Sequence, residues 1–273
     1  MGQTATGVDY SEIHRIDSPA NRLIRQDVWS PGDDLGQQSF ATVRYFDDLS
    51  ARLALDADTR VLDVGSGTGG PAIHIAATTG CRMTGVEITE VGVEVSLRLL
   101  DEAGLGDRVS FVQGDGMAMP FEDASFDAVI SMNVMNVFED KVALFREVRR
   151  LLRPGGRWAF LSGTFEFDEG DDDIRRRMRR GYAIPQYTDS LASYKAKLLE
   201  AGFVLDEVVE YISDFRVQMD RWRTAWIRHR DAIAEEQGAE RTDHHIDYFT
   251  CYLAMIDAGK ASNHLVISTR PEV

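Results

Sequence analysis

Cysteine is scarce in this 273-residue chain, which has only Cys81 and Cys251. Two cysteines cannot build a disulfide framework, and their spacing matches no cysteine-based metal site. We therefore expect neither a disulfide-stabilised fold nor a metal centre. Cys81 begins an apolar stretch and is predicted to be a small core residue.

Basic residues are also few relative to acidic ones. The chain has 30 lysines and arginines against 45 aspartates and glutamates, and its formal charge is −15. No net cationic field draws in a phosphate backbone, so nucleic acid is not an expected partner. The arginine-rich stretch from Arg175 to Arg180 is a local exception.

Long apolar runs are absent as well. The N-terminal stretch MGQTATGVDYSEIH lacks the apolar core of a signal peptide, and no run approaches a membrane span. We therefore expect no membrane association and a cytoplasmic location. The hydrophobic fraction of 44% is ordinary for a globular protein, and the length suffices for one large α/β domain.

Glycine, in contrast, is concentrated in the stretch RVLDVGSGTGGP at residues 60–71. A short apolar run with Asp63 near its end gives way to Gly65, Gly67, Gly69 and Gly70, and a helical pattern follows. A strand that turns into a helix at glycines brings backbone amides close to a ligand. Open α/β sheets bind nucleotides at such turns. The GxGxxG spacing alone also allows a dinucleotide-dependent dehydrogenase.

Acidic residues at the ends of successive predicted strands indicate which nucleotide-like ligand the glycine turn binds. Glu87 ends a second strand, where a carboxylate can accept hydrogen bonds from ribose hydroxyls. Asp115 follows a third strand, where it can bind the exocyclic amine of adenine while Met117 packs against the ring. Together with Asp63, these acids would repel a dinucleotide's diphosphate. S-adenosylmethionine has no phosphate and carries a sulfonium and an ammonium group, so the acids favour that ligand.

Four motifs in this order resemble the class I S-adenosylmethionine-dependent methyltransferases, in their small-molecule, natural-product tailoring branch. They are LDVGSGTGG (62–70), GVEIT (85–89), GDGMAMPFEDASFDAV (114–129) and LLRPGGR (151–157). The resemblance is good over residues 39–165 and much weaker elsewhere. It implies an α/β fold with a Rossmann-like, seven-stranded, mostly parallel sheet flanked by helices, an N-terminal helical lid, and a helical insertion before the last strand.

The resemblance also implies the organisation and the cofactor site. We expect a single methyltransferase domain over 1–273, with a lid at 1–38, a cofactor-binding core at 39–165, and substrate-side helices and C-terminal strands at 166–273. S-adenosylmethionine is the expected cofactor. Its predicted binding residues are Asp63, Gly65, Gly67, Gly69, Glu87, Ile88, Asp115, Gly116, Met117 and Gln38.

Within the lid, Gln37 or Gln38 can hold the cofactor, and either can instead cap the next helix. Later elements are predicted as a helix at 141–152 ending in ArgProGlyGly, a strand at 158–162, a helix at 191–201, a strand at 203–211, an insertion at 216–258 and a last strand at 264–269.

The residues after the fourth predicted strand (126–131) are candidates for contact with the methyl acceptor. Asn133 or Asn136 can orient an acceptor without charging the site, and each can also be a helix cap. Many members of the resembled family carry aspartate or histidine there. Candidate general bases are His244 and His245, with a solvated helix start as the alternative. Tyr182, Tyr187 and Tyr248 share that ambiguity. The candidate catalytic residues are therefore Asn133, His244 and His245.

Two further patterns have a structural and a functional interpretation. Met219, Trp222, Trp226 and Ile227 have the spacing of a helix packed on a core, and they can also form a wall for a flat or apolar acceptor. The run Arg175 to Arg180 is typical of a solvated amphipathic helix. It can alternatively bind an anionic acceptor such as a diphosphate or a carboxylate.

The resemblance predicts methyl transfer by in-line displacement to a carbon, nitrogen or oxygen nucleophile of a small, aromatic or apolar metabolite. The alternatives are a nicotinamide-dependent oxidoreductase and a cofactor-binding homologue without turnover. Asp115 and the absence of a suitably placed TyrxxxLys pair disfavour the oxidoreductase. A role in secondary-metabolite biosynthesis and a homodimer formed through the insertion are expected by analogy alone.

Overall fold

The computed structural model describes residues 18–181 and 186–272. Its strands are β1 (Arg60–Val64), β2 (Arg82–Glu87), β3 (Val109–Gln113), β4 (Phe126–Met132), β5 (Leu152–Phe165), β6 (Val204–Glu210) and β7 (Ala261–Thr269). They form one sheet in the order β3-β2-β1-β4-β5-β7-β6. Strands β1 to β5 pair in parallel, whereas β7 runs antiparallel to both β5 and β6. The predicted seven-stranded, mostly parallel sheet is confirmed.

Ten α-helices connect or cover these strands in the described residues. They are α1 (Pro19–Val28), α2 (Val43–Leu53), α3 (Gly70–Thr79), α4 (Glu90–Ala103), α5 (Lys141–Leu151), α6 (Asp172–Gly181), α7 (Leu191–Glu200), α8 (Ile212–Arg228), α9 (Arg230–Gln237) and α10 (Ala239–Asp257). Short 3-10 turns occur at Met135–Val137 and Glu169–Asp171. Helices α8, α9 and α10 are the predicted insertion before the last strand.

Local sequence determines where the central helices begin and end. Helix α4 starts where the Thr89 side chain accepts a hydrogen bond from the Gly92 amide, and it ends at Gly104, whose φ is 66°. Helix α5 starts where Asp140 accepts a hydrogen bond from the Ala143 amide. The strand order reverses between β1 and β4, which is the topological switch point where this sheet type binds ligands.

The region after α5 differs from the prediction. The helix ends at Leu151 with Leu152 already extended, so the glycines of the ArgProGlyGly stretch do not cap it. Strand β5 therefore begins at Leu152 rather than at 158. The added residues find backbone partners at the end of the chain, because the Gly155 amide donates to the Arg270 carbonyl and the Arg270 amide donates to the Gly156 carbonyl, both at 2.9 Å.

The insertion packs on the N-terminal helix around a shared apolar cluster. Trp29, which follows α1, contacts Trp222 of α8 edge to face, with ring centroids 5.9 Å apart. Met219 and Trp226 are also buried there, whereas Ile227 is 53% exposed. The core interpretation therefore holds for three of the four predicted apolar residues of α8. Within residues 18–181 and 186–272, no helix has the length and apolar character needed to cross a bilayer.

Candidate functional site

The loop between β1 and α3 is built from glycines in a conformation that other residues rarely adopt. Gly65, Gly67 and Gly69 have φ values of 74°, 56° and 79°. The amides of Gly65 and Ser66 both donate to the Val86 carbonyl, at 2.9 and 3.0 Å, which folds the loop across the end of β2. A Cβ added to Gly65 would lie 2.6 Å from Val134 Cγ2. The loop therefore presses against the segment that follows β4.

Glu87 lies beside this loop, where the sequence places it. Its Oε2 accepts a hydrogen bond from the Gly67 amide at 3.1 Å. Its Oε1 accepts hydrogen bonds from the Thr89 amide at 2.9 Å and from Thr89 Oγ1 at 2.8 Å. The carboxylate is buried and held against the glycine loop by these donors.

Asp63 is buried at the end of β1, and its Oδ1 has no hydrogen-bond partner among the described residues. Burial, together with the nearby charge of Glu87, raises the pKa of Asp63 to about 7. Ser66 Oγ is likewise buried and unpaired within the described part of the chain. Sequence reasoning missed Ser66. Unpaired buried polar atoms at a glycine loop suit a polar ligand that completes their hydrogen bonds and brings positive charge.

The residues predicted to hold an adenine follow β3. Asp115 Oδ1 accepts a hydrogen bond from the Met117 amide at 2.9 Å, which fixes a tight turn. Gly116 is buried, and a Cβ there would lie 3.1 Å from both Phe138 Cζ and Val64 Cγ1. Met117 is half-buried against the apolar cluster on that face of the sheet. The half-buried Ile88 follows β2 directly, so the ends of β1, β2 and β3 bring all these residues to one edge.

The structure gives different surroundings to the two adjacent glutamines of the N-terminal segment. Gln37 is buried, and its Nε2 donates to the Asp33 and Ala41 carbonyls while its Oε1 accepts from the Leu35 amide. Gln37 therefore fixes the shape of its own loop. Gln38 lines a cavity next to that loop.

The segment is joined to the glycine loop by Thr68 Oγ1, which donates to the Gly36 carbonyl at 2.7 Å. The predicted lid is thus described from residue 18 onward, and its first 17 residues lie outside the described part of the chain.

The cavity has an aromatic wall and a polar wall. Its aromatic residues come from the N-terminal segment, the end of β5 and the insertion; they are Phe40, Phe165, Phe167, Phe215, Tyr248 and Tyr252. Its polar residues include amides and two arginines; they are Gln38, Ser39, Asn133, Asn136, Arg175, Arg179, Gln186, Thr188 and Asn263. Helices α8 and α10 therefore contribute to the wall of this cavity as well as to the core. Tyr182 lies outside the described residues.

Asn133 follows β4 and faces this cavity. Its backbone is left-handed, with φ 56°, and its amide nitrogen donates to the Leu161 carbonyl at 2.8 Å. The side-chain Nδ2 is buried without a partner in the described residues. The next 3-10 turn has Val134 at its N-cap, and no side chain caps it. Asn133 is therefore not the helix cap that the sequence allowed as an alternative.

Asn136 has a different role at the same edge. Its Nδ2 donates to Gln186 Oε1, and its carbonyl accepts a hydrogen bond from the Tyr187 amide at 2.7 Å. Buried Lys141 secures the same segment, because its Nζ donates to the Tyr187 carbonyl at 2.6 Å and pairs with Asp189 at 3.1 Å. Burial lowers the pKa of Lys141. These contacts fix the cavity wall formed by residues 186–188.

Asn263 is a cavity amide that sequence reasoning missed. It is 1% exposed, and neither its Nδ2 nor its Oδ1 has a partner in the described chain. It lies on β7 opposite Gly163 of β5. Asn263 lies between Ser262 and His264, so the sequence carries no distinctive signal for it. An amide with both atoms unpaired can donate to and accept from one bound group.

The structure does not bring the two candidate histidines to this site. His245 stacks on Trp226, with ring centroids 4.0 Å apart, and burial lowers its pKa to about 4. Neither His244 nor His245 is among the residues that line the cavity next to Asn133. Their predicted catalytic role gains no support from this placement.

Comparison with known proteins agrees with this geometry. The profile of the methyltransferase domain family matches residues 62–160. The chain is 37% identical over 168 residues to 27-O-demethylrifamycin SV methyltransferase of Amycolatopsis mediterranei. This match covers 59% of this chain and 60% of that protein. The chain is 32% identical over 189 residues to methyltransferase GfsG of Streptomyces halstedii, covering 67% and 66%. The match thus spans less than two thirds of either relative.

Among solved structures, that of the [4+2]-cyclase SpnF is 25% identical in sequence to this chain and superimposes with a TM-score of 0.72. The match covers 84% of this chain and 80% of the SpnF chain. The matched profile runs from β1 into β5, and it includes the glycine loop with the left-handed glycines and the unpaired acid Asp63. Residues 62–160 therefore belong to the class I S-adenosylmethionine-dependent methyltransferase family, and the cofactor of this domain is S-adenosylmethionine.

Proposed function

We propose that the chain transfers the methyl group of S-adenosylmethionine to a carbon, nitrogen or oxygen nucleophile of a small metabolite held in the cavity. The observation that carries this proposal is the junction between the glycine loop and the cavity. Gly65 of the loop abuts Val134, and the preceding Asn133 lines the cavity with an unpaired amide. A cofactor on the loop and an acceptor in the cavity would therefore be neighbours.

In this proposal, the cofactor supplies an activated methyl group and the chain supplies position and shielding. Glu87, Asp115 and the unpaired carboxyl of Asp63 hold the cofactor. Asn133 and Asn263 orient a polar group of the acceptor, since each has a buried amide that lacks a protein partner in the described residues. The aromatic wall favours an apolar or aromatic acceptor body and excludes water from the reacting atoms.

The names of the relatives support a small-molecule acceptor for this chain. The two relatives compared above are methyltransferases, and one is named for a rifamycin. A cytoplasmic location, a homodimer and a place in secondary-metabolite biosynthesis stay predictions. So does the organisation as one domain with its lid at 1–38.

The cofactor half of the proposal predicts selective thermal stabilisation. S-adenosylhomocysteine at 100 times its dissociation constant should stabilise the protein by about 2.7 kcal/mol and raise Tm by several degrees. NAD and NADP should have no effect, because the acids at the strand ends repel a diphosphate. Differential scanning fluorimetry with the three ligands in parallel measures this. Stabilisation by the dinucleotides alone would reassign the glycine loop.

The acceptor half predicts that Asn133→Gly separates turnover from cofactor binding. Glycine keeps the left-handed backbone at this position and removes the side chain with its amide. We expect methyl transfer to fall by about a hundredfold, the typical loss on acceptor misplacement, with unchanged stabilisation by S-adenosylhomocysteine. Isotope-labelled S-adenosylmethionine and mass spectrometry identify an acceptor in a metabolite panel and then measure the rates. Equal losses of cofactor binding and turnover would contradict the assigned role.

A further inference from the structure

Helix α6 carries five arginines, and four of them form two pairs with different surroundings. Arg176 and Arg177 point to acids, because Arg176 pairs with Asp173 at 2.7 Å and Arg177 pairs with Asp247 at 2.5 Å. Arg175 and Arg179 line the cavity instead. Neither of these two has a hydrogen bond or an ion pair at contact distance to another residue of 18–181 or 186–272.

Arg175 is held in place without being neutralised. Its guanidinium lies over the Phe167 ring, 4.6 Å from the centroid, which fixes the planar group by a cation–π contact. Its Nε is buried and unpaired within the described chain. The nearby acid Asp171 is occupied by Lys260 Nζ, at 2.8 Å. A guanidinium with a buried, unused donor is costly unless a ligand completes its hydrogen bonds.

We propose that Arg175 and Arg179 form an anion subsite of this cavity, so that the acceptor joins a carboxylate or phosphate to an apolar or aromatic body. The inference rests on the proposed function for calling the ligand the methyl acceptor. The guanidinium presents a planar array of donors that matches two oxygens of an oxyanion. The remaining wall, including Phe165, Phe215 and Tyr252, provides the apolar surface for the body of the ligand.

The charge of the chain as a whole makes this subsite informative. At a formal charge of −15, the surface repels anions in general, so a preference for an anionic ligand must come from local groups. Arg175 is half-buried and Arg179 is exposed, so this positive pair lies at the rim of the cavity, where it favours an anion whose apolar part enters the cavity. A free inorganic anion gains no apolar contacts, so it is expected to bind weakly.

The test uses three ligands with one shared body, 4-phenylbutanol, 4-phenylbutyrate and 4-phenylbutyl phosphate. Each is titrated calorimetrically into the full chain saturated with S-adenosylhomocysteine. Because a charged hydrogen bond contributes more than a neutral one, at least one anion should bind about tenfold more tightly than the alcohol. Whether the carboxylate or the phosphate binds more tightly identifies which oxyanion the subsite prefers.

Two variants test the subsite, and a third serves as their matched control. Arg175→Gln should abolish the preference for the anions over the alcohol, and Arg179→Gln should reduce the same preference. Arg176→Gln removes the same charge from the same helix outside the cavity lining, so it should retain the preference. Stabilisation by S-adenosylhomocysteine verifies that each variant is folded.

The proposal is overturned if the wild-type protein binds neither anion, if the alcohol binds as tightly as both anions, or if Arg176→Gln has the effect of Arg175→Gln. None of these results contradicts the proposed methyl transfer, which is tested separately by cofactor stabilisation and by product formation. A protein that binds S-adenosylhomocysteine and methylates only neutral metabolites would retain the function and lose the anion subsite.

Discussion

Gly70→Ala is expected to detach the N-terminal segment from the glycine loop and to lower the free energy of unfolding by about 3 kcal/mol, the upper part of the usual range for overpacking. A Cβ at this position would lie 1.7 Å from the carbonyl oxygen of Leu35 and 2.7 Å from its carbonyl carbon. These are backbone atoms, so no side-chain rotation relieves the overlap. Leu35 must move, and the contact between Gly36 and Thr68 moves with it.

Cofactor affinity is expected to fall together with stability, because the displaced segment also carries Gln38. Urea denaturation and calorimetric titration of S-adenosylhomocysteine measure the two effects. The matched control is Gly106→Ala, where an added Cβ meets nothing within 4 Å. If Gly70→Ala unfolds at the same urea concentration as this control, the close approach of Leu35 to α3 is wrong.

Asp63→Asn is expected to flatten the dependence of folding stability on pH. The pKa of Asp63 is raised to about 7 in the folded protein, chiefly by burial and further by the charge of Glu87. The folded protein thus keeps a proton that the unfolded chain releases near pH 4, so this contribution to stability is present at low pH and is lost as the pH rises towards 7. At 1.36 kcal/mol per pKa unit, the wild-type protein should lose roughly 2–3 kcal/mol from this group between pH 5 and pH 8.

Chemical denaturation of both proteins without cofactor across this pH range isolates the contribution of Asp63, because every other titrating group is common to them. The cationic cofactor should favour the ionised carboxyl, so the affinity for S-adenosylmethionine should rise with pH up to about 7 in the wild-type protein only. Parallel stability curves for the two proteins would mean that Asp63 is ionised in the folded state throughout.

The cofactor side of the site was predictable from sequence because its information is local. Each predicted cofactor-binding segment is the end of a strand followed by a glycine turn or an acidic residue, and parallel strands bring those ends to one edge of the sheet. The sequence pattern and the order of the strands therefore predict that Asp63, Glu87 and Asp115 lie close together. Ser66 escaped notice because serine in a glycine loop carries no distinctive signal until its burial is known.

The acceptor side was less predictable because tertiary packing assembles it. Asn263 on β7 and Arg175 on α6 are far apart in sequence and meet only in the folded cavity. The sequence could not decide between adjacent Gln37 and Gln38, since the direction of each side chain depends on how the loop closes. It also favoured a solvated helix for the arginines, which is correct for Arg176 and incomplete for Arg175.

The N-terminal segment contacts both halves of the site at once. Gly36 accepts a hydrogen bond from Thr68 of the glycine loop, and Gln38, Ser39 and Phe40 line the cavity. If this segment moves away so that the cofactor or the acceptor can exchange, the binding site of the other ligand also loses contacts. We therefore expect the two ligands to bind cooperatively, so that S-adenosylhomocysteine tightens acceptor binding and the acceptor tightens cofactor binding by the same factor.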